Sequence, residues 1–214
     1  MEKEKKKIAA LFDLDGVLID SESIYSDFWN RMDAIYPTGI ADFAYTIKGT
    51  TLPRILEYFA PEVQPELRRH LSEQEKNMVY RMFPHVETFL KSLREAHIPT
   101  AIVTSSSTAK MDKLFAQLPE LRGYFDEVIT DADVTQSKPS PEGYRLAASR
   151  LGVPSEQCVV FEDSRAGLAA GRSAGGKVVA VATTLRPEDI AGRGDIVIDS
   201  FRGFTLQRME ALFD

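Results

Sequence analysis

Four short apolar segments, separated by stretches with helical periodicity, constrain the fold of this chain more than any other feature. They are rich in β-branched residues and do not alternate with polar ones, which is typical of strands buried on both faces of a parallel sheet. The segments are 8–12 (IAALF), 100–104 (TAIVT), 158–162 (CVVFE) and 177–182 (KVVAVA), with further candidates at 126–130 and 195–200. Because strands alternate with helices, the sequence predicts a doubly wound, Rossmann-like parallel α/β fold.

The stretches between the strands have recognisable helix signals. Residues 86–96 place four apolar side chains on one helical face. A second helix is predicted to begin with Ser140 as its N-cap and Pro141 in its first turn, and to stop at Gly152. Residues 164–175 are rich in small side chains, so we expect this helix to pack closely on the sheet.

Residues 21–80 break the alternation of strands and helices. No convincing strand occurs there, and residues 23–36 and 65–83 have the pattern of amphipathic helices. We therefore predict a helical insert over residues 21–80, following the first strand. The α/β core would then be formed by residues 1–20 and 81–214.

Charge and cysteine content exclude several classes of partner. The 214-residue chain has a net charge of −6, so it has no bulk field to attract nucleic acid or an anionic membrane, and we expect neither as a partner. The single Cys158 lies in an apolar run, which predicts a buried, unreactive thiol and a reducing, cytoplasmic location. The apolar stretch at 8–12 is too short for a signal peptide, and no run approaches the length of a membrane span.

Polar residues stand where the predicted strands end or where helices begin. They are Asp13 and Asp15 after the first strand, Thr104 at the end of the second, Glu162 and Asp163 at the end of the 158–162 strand, and Lys138 ahead of the helix near 140. Since the carboxyl ends of parallel strands share one edge, we expect these side chains to converge at the rim where α/β folds bind ligands.

The residue types at this rim suit metal-assisted phosphoryl transfer. Four adjacent carboxylates would repel one another without a cation, and their hard oxygens suit Mg²⁺. A carboxylate beside a metal and a phosphate can attack phosphorus to give an aspartyl-phosphate, while a second carboxylate moves the protons. Each motif alone could be an ordinary turn or helix cap, but their joint occurrence favours a site.

Four segments in this order, DLDGVLIDSE, VTSSS, SKPSPE and FEDSRAG, resemble the four motifs of the haloacid dehalogenase superfamily. The chain is most similar to the β-phosphoglucomutase-like phosphatase branch, whose members carry a small helical cap after the first strand. The resemblance spans nearly the whole chain, and it implies the same core and cap here.

The resemblance implies a role for each catalytic position. Asp13 would be the nucleophile that becomes phosphorylated, and Asp15 would be the general acid and base. Thr104 and the backbone N–H of Ser105 would hold the transferring phosphoryl group. Lys138 would stabilise the charge of that group and of the nucleophile.

The resemblance also implies a Mg²⁺ cofactor. Asp13, the backbone carbonyl of Asp15, and Asp163 would hold the ion, with Glu162 as a further ligand or as a base behind the ligands. Superfamily members that cleave carbon–halogen bonds lack the second aspartate of the first motif, so Asp15 favours phosphoryl transfer over dehalogenation.

Hydrolysis and isomerisation use the same core and differ in the residues that face the substrate. Where β-phosphoglucomutases have a histidine, an arginine and a lysine, this chain has Tyr25, Leu52 and Ser107. These departures favour a phosphatase acting on a small phosphorylated metabolite, with a sugar phosphate as the family-level expectation. A β-phosphoglucomutase-type mutase is the alternative.

Four cap residues are predicted to contact the substrate, although each could instead pack or decorate the surface: Tyr25, Lys48, Thr51 and Arg54. Two other classes of protein are disfavoured. A binding protein built on an inactive core would lack Asp13 or Lys138, and a receiver-like signalling domain would lack the helical insert. We expect the enzyme to be a monomer.

Overall fold

A six-stranded parallel sheet organises the computed structural model of the protein, which describes residues 7–48 and 52–214. The strands, in the spatial order β3-β2-β1-β4-β5-β6, are β1 Ala9–Phe12, β2 Thr100–Val103, β3 Glu127–Ile129, β4 Cys158–Glu162, β5 Lys177–Val181 and β6 Ile196–Ile198. Ala10 of β1 pairs with Thr100 on one side and Val159 on the other. The predicted parallel α/β fold is confirmed, and its strand order reverses between β1 and β4.

Helices connect and cover the strands. They are α1 Glu22–Ile35, α2 Phe43–Thr46, α3 Leu52–Leu56, α4 Gln64–Lys76, α5 Val86–Glu95, α6 Thr108–Gln117, α7 Pro119–Arg122, α8 Glu142–Leu151, α9 Arg165–Ala174, α10 Pro187–Ile190 and α11 Leu206–Glu210. Side chains of β1 alternate between two apolar clusters. Ala10 and Phe12 lie in the cluster that includes α5 and α6, whereas Ala9 and Leu11 lie in the cluster that includes α8 and α9. Burial on both faces explains why the strands read as uninterrupted apolar runs.

Helices α1 to α4, which we call the cap, have an apolar core of their own. It is built from Phe28, Trp29, Met32, Phe43, Ala44, Ile47, Ile55, Leu56, Phe59, Leu67 and Leu71. Trp29 packs edge-on against Phe28, with ring centroids 4.9 Å apart. The domain bounds themselves, with residues 21–80 as the insert, stay a prediction.

The end of the helix expected over 65–83 and the start of the helix near residue 140 differ from the predictions. The helix expected over 65–83 ends at Lys76, and the following chain returns to the core, where Phe83 N–H donates to Leu18 O at 3.0 Å. The helix ends before residue 83 because the residues around Phe83 pair instead with the segment that leaves β1. Helix α8 begins at Glu142 with Pro141 in the N-cap position, although Ser140 Oγ still accepts from Glu142 N–H at 3.3 Å.

Other expectations about local structure are confirmed. Gly152 ends α8 in the left-handed region, with φ of 62°. Cys158 is buried, and burial raises the pKa of its thiol to about 12, so it is an unreactive core residue. In the described ranges, no helix combines the length and apolar character that a membrane span needs.

Candidate active site

A cavity of about 380 Å³ opens at the carboxyl edge of the sheet, beside β1, β2 and β4. Six of the predicted site residues line it: Asp13, Asp15, Thr104, Ser105, Lys138 and Asp163. Glu162, the seventh, ends β4 and is fully buried behind them. The backbone continues the β1–β4 pairing into the site, because Asp13 N–H donates to Phe161 O at 3.0 Å. The cavity therefore lies at the switch point of the sheet.

Lys138 joins two carboxylates from neighbouring strands. Its ammonium contacts Asp13 Oδ1 at 2.5 Å and Glu162 Oε1 at 2.6 Å, and it donates to Val103 O at 3.0 Å. Burial lowers the pKa of Lys138, but the charges of Asp13 and Glu162 outweigh this and hold the pKa well above its ordinary value. Lys138 is thus a fixed positive charge beside Asp13.

Glu162 is fully occupied by donors. Its Oε1 also accepts from the Tyr144 hydroxyl at 2.9 Å, and its Oε2 accepts from the N–H groups of Asp163 and Ser164 at 3.0 and 3.1 Å. A Cβ at Gly167 would lie 1.7 Å from Oε1, so only glycine leaves room for this carboxylate. Glu162 therefore anchors Lys138 and turns no free oxygen toward the cavity.

Asp163 approaches the backbone of the first motif. A Cβ at Gly16 would lie 1.9 Å from Asp163 Oδ2, and Gly16 has φ of +83°, so glycine is required on both grounds. Burial, followed by the charges of Glu162 and Asp13, raises the pKa of Asp163 well above its ordinary value. This carboxylate is in a place where a neighbouring cation would stabilise its charge.

The acidic group formed by these residues fits a hard divalent cation. One carboxylate oxygen from each of Asp13, Glu162 and Asp163 lies within 4.8 Å of the others. Since Lys138 already pairs with Asp13 and Glu162, an added positive charge would stabilise the ionised form of Asp163 most. Carboxylate oxygens at this spacing suit Mg²⁺, which keeps several of its waters when protein bound.

Burial also gives Asp13 an unusual pKa, and this predicts how stability depends on pH. Burial raises the pKa of Asp13 from 3.8 to about 7, against the opposing charge of Lys138. The folded state therefore holds this proton more tightly than the unfolded state, and stability is lost as pH rises from about 4 to about 7. One titrating group changes the free energy of unfolding by at most about 1.4 kcal/mol for each pH unit. In EDTA, we expect Asp13→Asn to remove this dependence on pH.

Urea unfolding at several pH values, with wild type and Asp13→Asn measured in parallel, checks this prediction. The stability of the variant relative to wild type should increase from pH 4 to pH 7 and then level off. If the free energies of unfolding of wild type and Asp13→Asn, plotted against pH, run parallel from pH 4 to pH 7, the raised pKa of Asp13 is contradicted.

Asp15 has partners that the sequence did not indicate. Lys110 Nζ lies 2.7 Å from both carboxylate oxygens, Ser106 Oγ donates to Oδ2 at 2.9 Å, and Ser21 Oγ donates to Oδ1. Burial raises the pKa of Asp15, but Lys110 and the two hydroxyls outweigh it and leave the pKa below its ordinary value. The signal for Lys110 was available, because Ser107 caps α6 and helical side chains lean back toward the N-terminus.

The predicted phosphate-binding pair lies at the end of β2. Thr104 is buried, and its Oγ1 accepts from Ser106 N–H at 3.0 Å, while its own N–H donates to Ile129 O at 2.9 Å. Ser105 is exposed to the cavity. This turn thus contributes Ser105 to the cavity that Asp13 and Lys138 also line.

A second cavity, of about 270 Å³, lies within the cap and shares Glu22 with the first. Two predicted contacts, Tyr25 and Lys48, line it; Tyr25 donates to Glu75 at 3.1 Å, and Lys48 pairs with Glu22 at 3.9 Å. Arg54 is exposed on α3 and lines neither cavity. Thr51 lies outside the described residues. Glu22, Glu75 and Trp29 are lining residues that the sequence did not single out as substrate contacts.

Comparison with known proteins finds one family. The sequence model of the haloacid dehalogenase-like hydrolases matches residues 10–181. The chain is 32% identical to a phosphorylated carbohydrates phosphatase of Thermotoga maritima, covering 78% of this chain and 81% of that protein. It is 33% identical to hexitol phosphatase A of Escherichia coli, covering 92% and 93%. A haloacid dehalogenase family hydrolase of Deinococcus radiodurans, crystallised with bound phosphate and sodium, superposes with a TM-score of 0.79 at 26% identity, covering 97% of each chain.

Proposed function

We propose that this chain, which belongs to the haloacid dehalogenase-like hydrolase family, is a Mg²⁺-dependent phosphatase that hydrolyses a small phosphorylated carbohydrate through an aspartyl-phosphate. The observation that carries the proposal is the single cavity lined by Asp13, Asp15, Lys138 and Asp163 at the switch point of the sheet. The phosphatase names of the relatives support the activity, and the carbohydrate and hexitol in those names support the substrate class.

In the first half of the proposed reaction, Asp13 attacks phosphorus. An oxygen of Asp13 forms a bond to phosphorus while the ester P–O bond breaks, and the leaving oxygen takes the electron pair and a proton from Asp15. Lys138 faces the phosphoryl oxygens and offsets their charge, and Thr104 with the N–H of Ser105 holds them. In the second half, water attacks phosphorus, the bond to Asp13 breaks, and Asp15 takes the water proton.

The proposed metal ligands are Asp13, the backbone carbonyl of Asp15, and Asp163. Glu162 is assigned to a supporting position, because its two oxygens are occupied by Lys138, Tyr144 and backbone N–H groups. When bound, Mg²⁺ would neutralise phosphoryl oxygens and the surrounding carboxylates.

The chemistry of the cap cavity supports hydrolysis over isomerisation. A mutase must hold a bisphosphate, so its second phosphate needs cationic groups on the cap side. Among the described residues that line the cap cavity, the one cation is Lys48, and it is already paired with Glu22. Glu22 and Glu75 would repel a second phosphate, whereas their carboxylates can accept hydrogen bonds from the hydroxyls of a sugar or sugar alcohol.

A panel of phosphorylated sugars and sugar alcohols, assayed for released phosphate with Mg²⁺, tests the function. We expect hydrolysis of at least one monophosphate, loss of activity in EDTA, and recovery when Mg²⁺ is restored. β-Glucose 1-phosphate with a bisphosphate primer should give free phosphate and no glucose 6-phosphate. Isomerisation in that assay would support the mutase, and no turnover of any phosphoester would overturn the proposal.

The proposed enzyme acts as a monomer in the cytoplasm, on a small phosphorylated metabolite and without a nucleic-acid or membrane partner. The single, buried Cys158 is in keeping with a reducing compartment. The net charge of −6 means that phosphate must be recognised by the local site that contains Lys138.

A further inference from the structure

Every described hydrogen-bond partner of the Asp15 carboxylate is a donor. Lys110 Nζ contacts both oxygens at 2.7 Å, Ser106 Oγ donates to one oxygen at 2.9 Å, and Ser21 Oγ donates to the other. The Lys110 and Asp15 side chains are 18% and 20% exposed, so solvent screens this pair only weakly. The arrangement fixes the direction of the carboxylate.

Lys110 reaches Asp15 from another part of the core, 95 residues along the chain. It is held from the cap side as well, since Lys110 Nζ lies 5.7 Å from the centre of the Tyr25 ring, whose hydroxyl bonds to Glu75. One turn further along α6, Lys113 donates to the backbone carbonyl of Lys76, at the end of α4, at 2.6 Å. Two lysines of the same helix therefore point toward the cap. Of these two described residues, Lys110 contacts Asp15 and Lys113 does not.

We propose that Lys110 is a positioning residue that holds Asp15 as an oriented carboxylate for hydrolysis of the phosphorylated enzyme. The inference rests on the proposed function. In this half-reaction the water oxygen bonds to phosphorus, the bond from phosphorus to Asp13 breaks with its electron pair returning to Asp13, and a water proton passes to Asp15. A correctly aimed carboxylate is required for that proton transfer.

The choice of substrate separates the two half-reactions. p-Nitrophenolate is a stable anion that leaves with the electron pair of the ester bond and needs no proton, so formation of the phosphorylated enzyme from p-nitrophenyl phosphate depends little on Asp15. Hydrolysis of that intermediate still depends on it. Loss of Lys110 should therefore slow the second half-reaction selectively.

Stopped-flow measurement of p-nitrophenol release in Mg²⁺ buffer provides the test. In Lys110→Met, we expect the ratio of the burst rate constant to the steady-state rate to rise roughly 10- to 100-fold over wild type. The burst should approach one equivalent per active site. Lys110→Arg keeps the charge and the donors, so it should bring the ratio back toward that of wild type.

Lys113→Met is the matched control, because it removes the same charge from the same helix without a contact to Asp15. Its ratio should equal that of wild type even if cap contacts change the absolute rates. Lys110→Gln replaces the methionine variant if that variant does not fold. If the ratio is unchanged in the Lys110 variants, whether the rates are unaffected or both steps are slowed equally, the role of Lys110 is overturned and the proposed function stands. If wild type shows no turnover, the proposed function is overturned.

Discussion

Asp13→Asn is expected to lower kcat for phosphate ester hydrolysis by roughly 10⁴-fold or more, the largest effect of any single substitution in this protein. The amide oxygen of asparagine is a poor nucleophile and cannot form the acyl phosphate. The fold should persist, because asparagine has nearly the same shape and because the substitution removes a buried carboxylate whose pKa burial raises to about 7. Loss of activity should therefore accompany unchanged or increased stability in EDTA.

Released phosphate, circular dichroism and thermal unfolding, measured on the same preparations, check this expectation. Asp20→Asn is the matched control: Asp20 lies in the same loop and accepts from Ser23 N–H at 3.2 Å, a bond that asparagine retains. Its kcat should stay within about threefold of wild type, as expected for a surface change. A folded Asp13→Asn variant that keeps a tenth of the activity would exclude Asp13 as the nucleophile.

Lys138→Met is expected to remove both activity and stability. Lys138 is the cation that contacts Asp13 and the fully buried Glu162, at 2.5 and 2.6 Å. Removing one partner of a buried ion pair leaves an uncompensated charge, which costs about 3–5 kcal/mol. We expect kcat to fall by roughly 10²- to 10³-fold, since the variant also lacks the charge that stabilises the transferring phosphoryl group.

A double substitution separates these two effects. Lys138→Met with Glu162→Gln removes the buried charge as well as its partner, so unfolding in urea should show most of the lost stability restored while activity stays low. Lys91→Met is the surface control, because Lys91 pairs with Glu87 in an exposed ion pair at 2.8 Å; it should change stability by at most about 0.5 kcal/mol. A double variant as unstable as Lys138→Met would show that Glu162 is not the source of the penalty.

The sequence by itself determined the sheet and the position of the acidic residues. The apolar runs 8–12, 100–104 and 158–162 predicted strands. Polar residues at the end of a strand must lie at its carboxyl edge. These inferences succeed because strand formation and burial leave a local pattern in the chain. The separate apolar core of the cap is likewise visible in the helical periodicity of α1 and α4.

Only the tertiary structure decided which partners these residues have. It placed both oxygens of Glu162 among donors, brought Lys110 to Asp15, left Arg54 exposed, and ended α4 at Lys76. Such contacts join elements that are far apart in the chain, and they depend on how helices pack and where long side chains find space. Periodicity records which face of an element is buried, but it carries no information about the side chain that the face will meet.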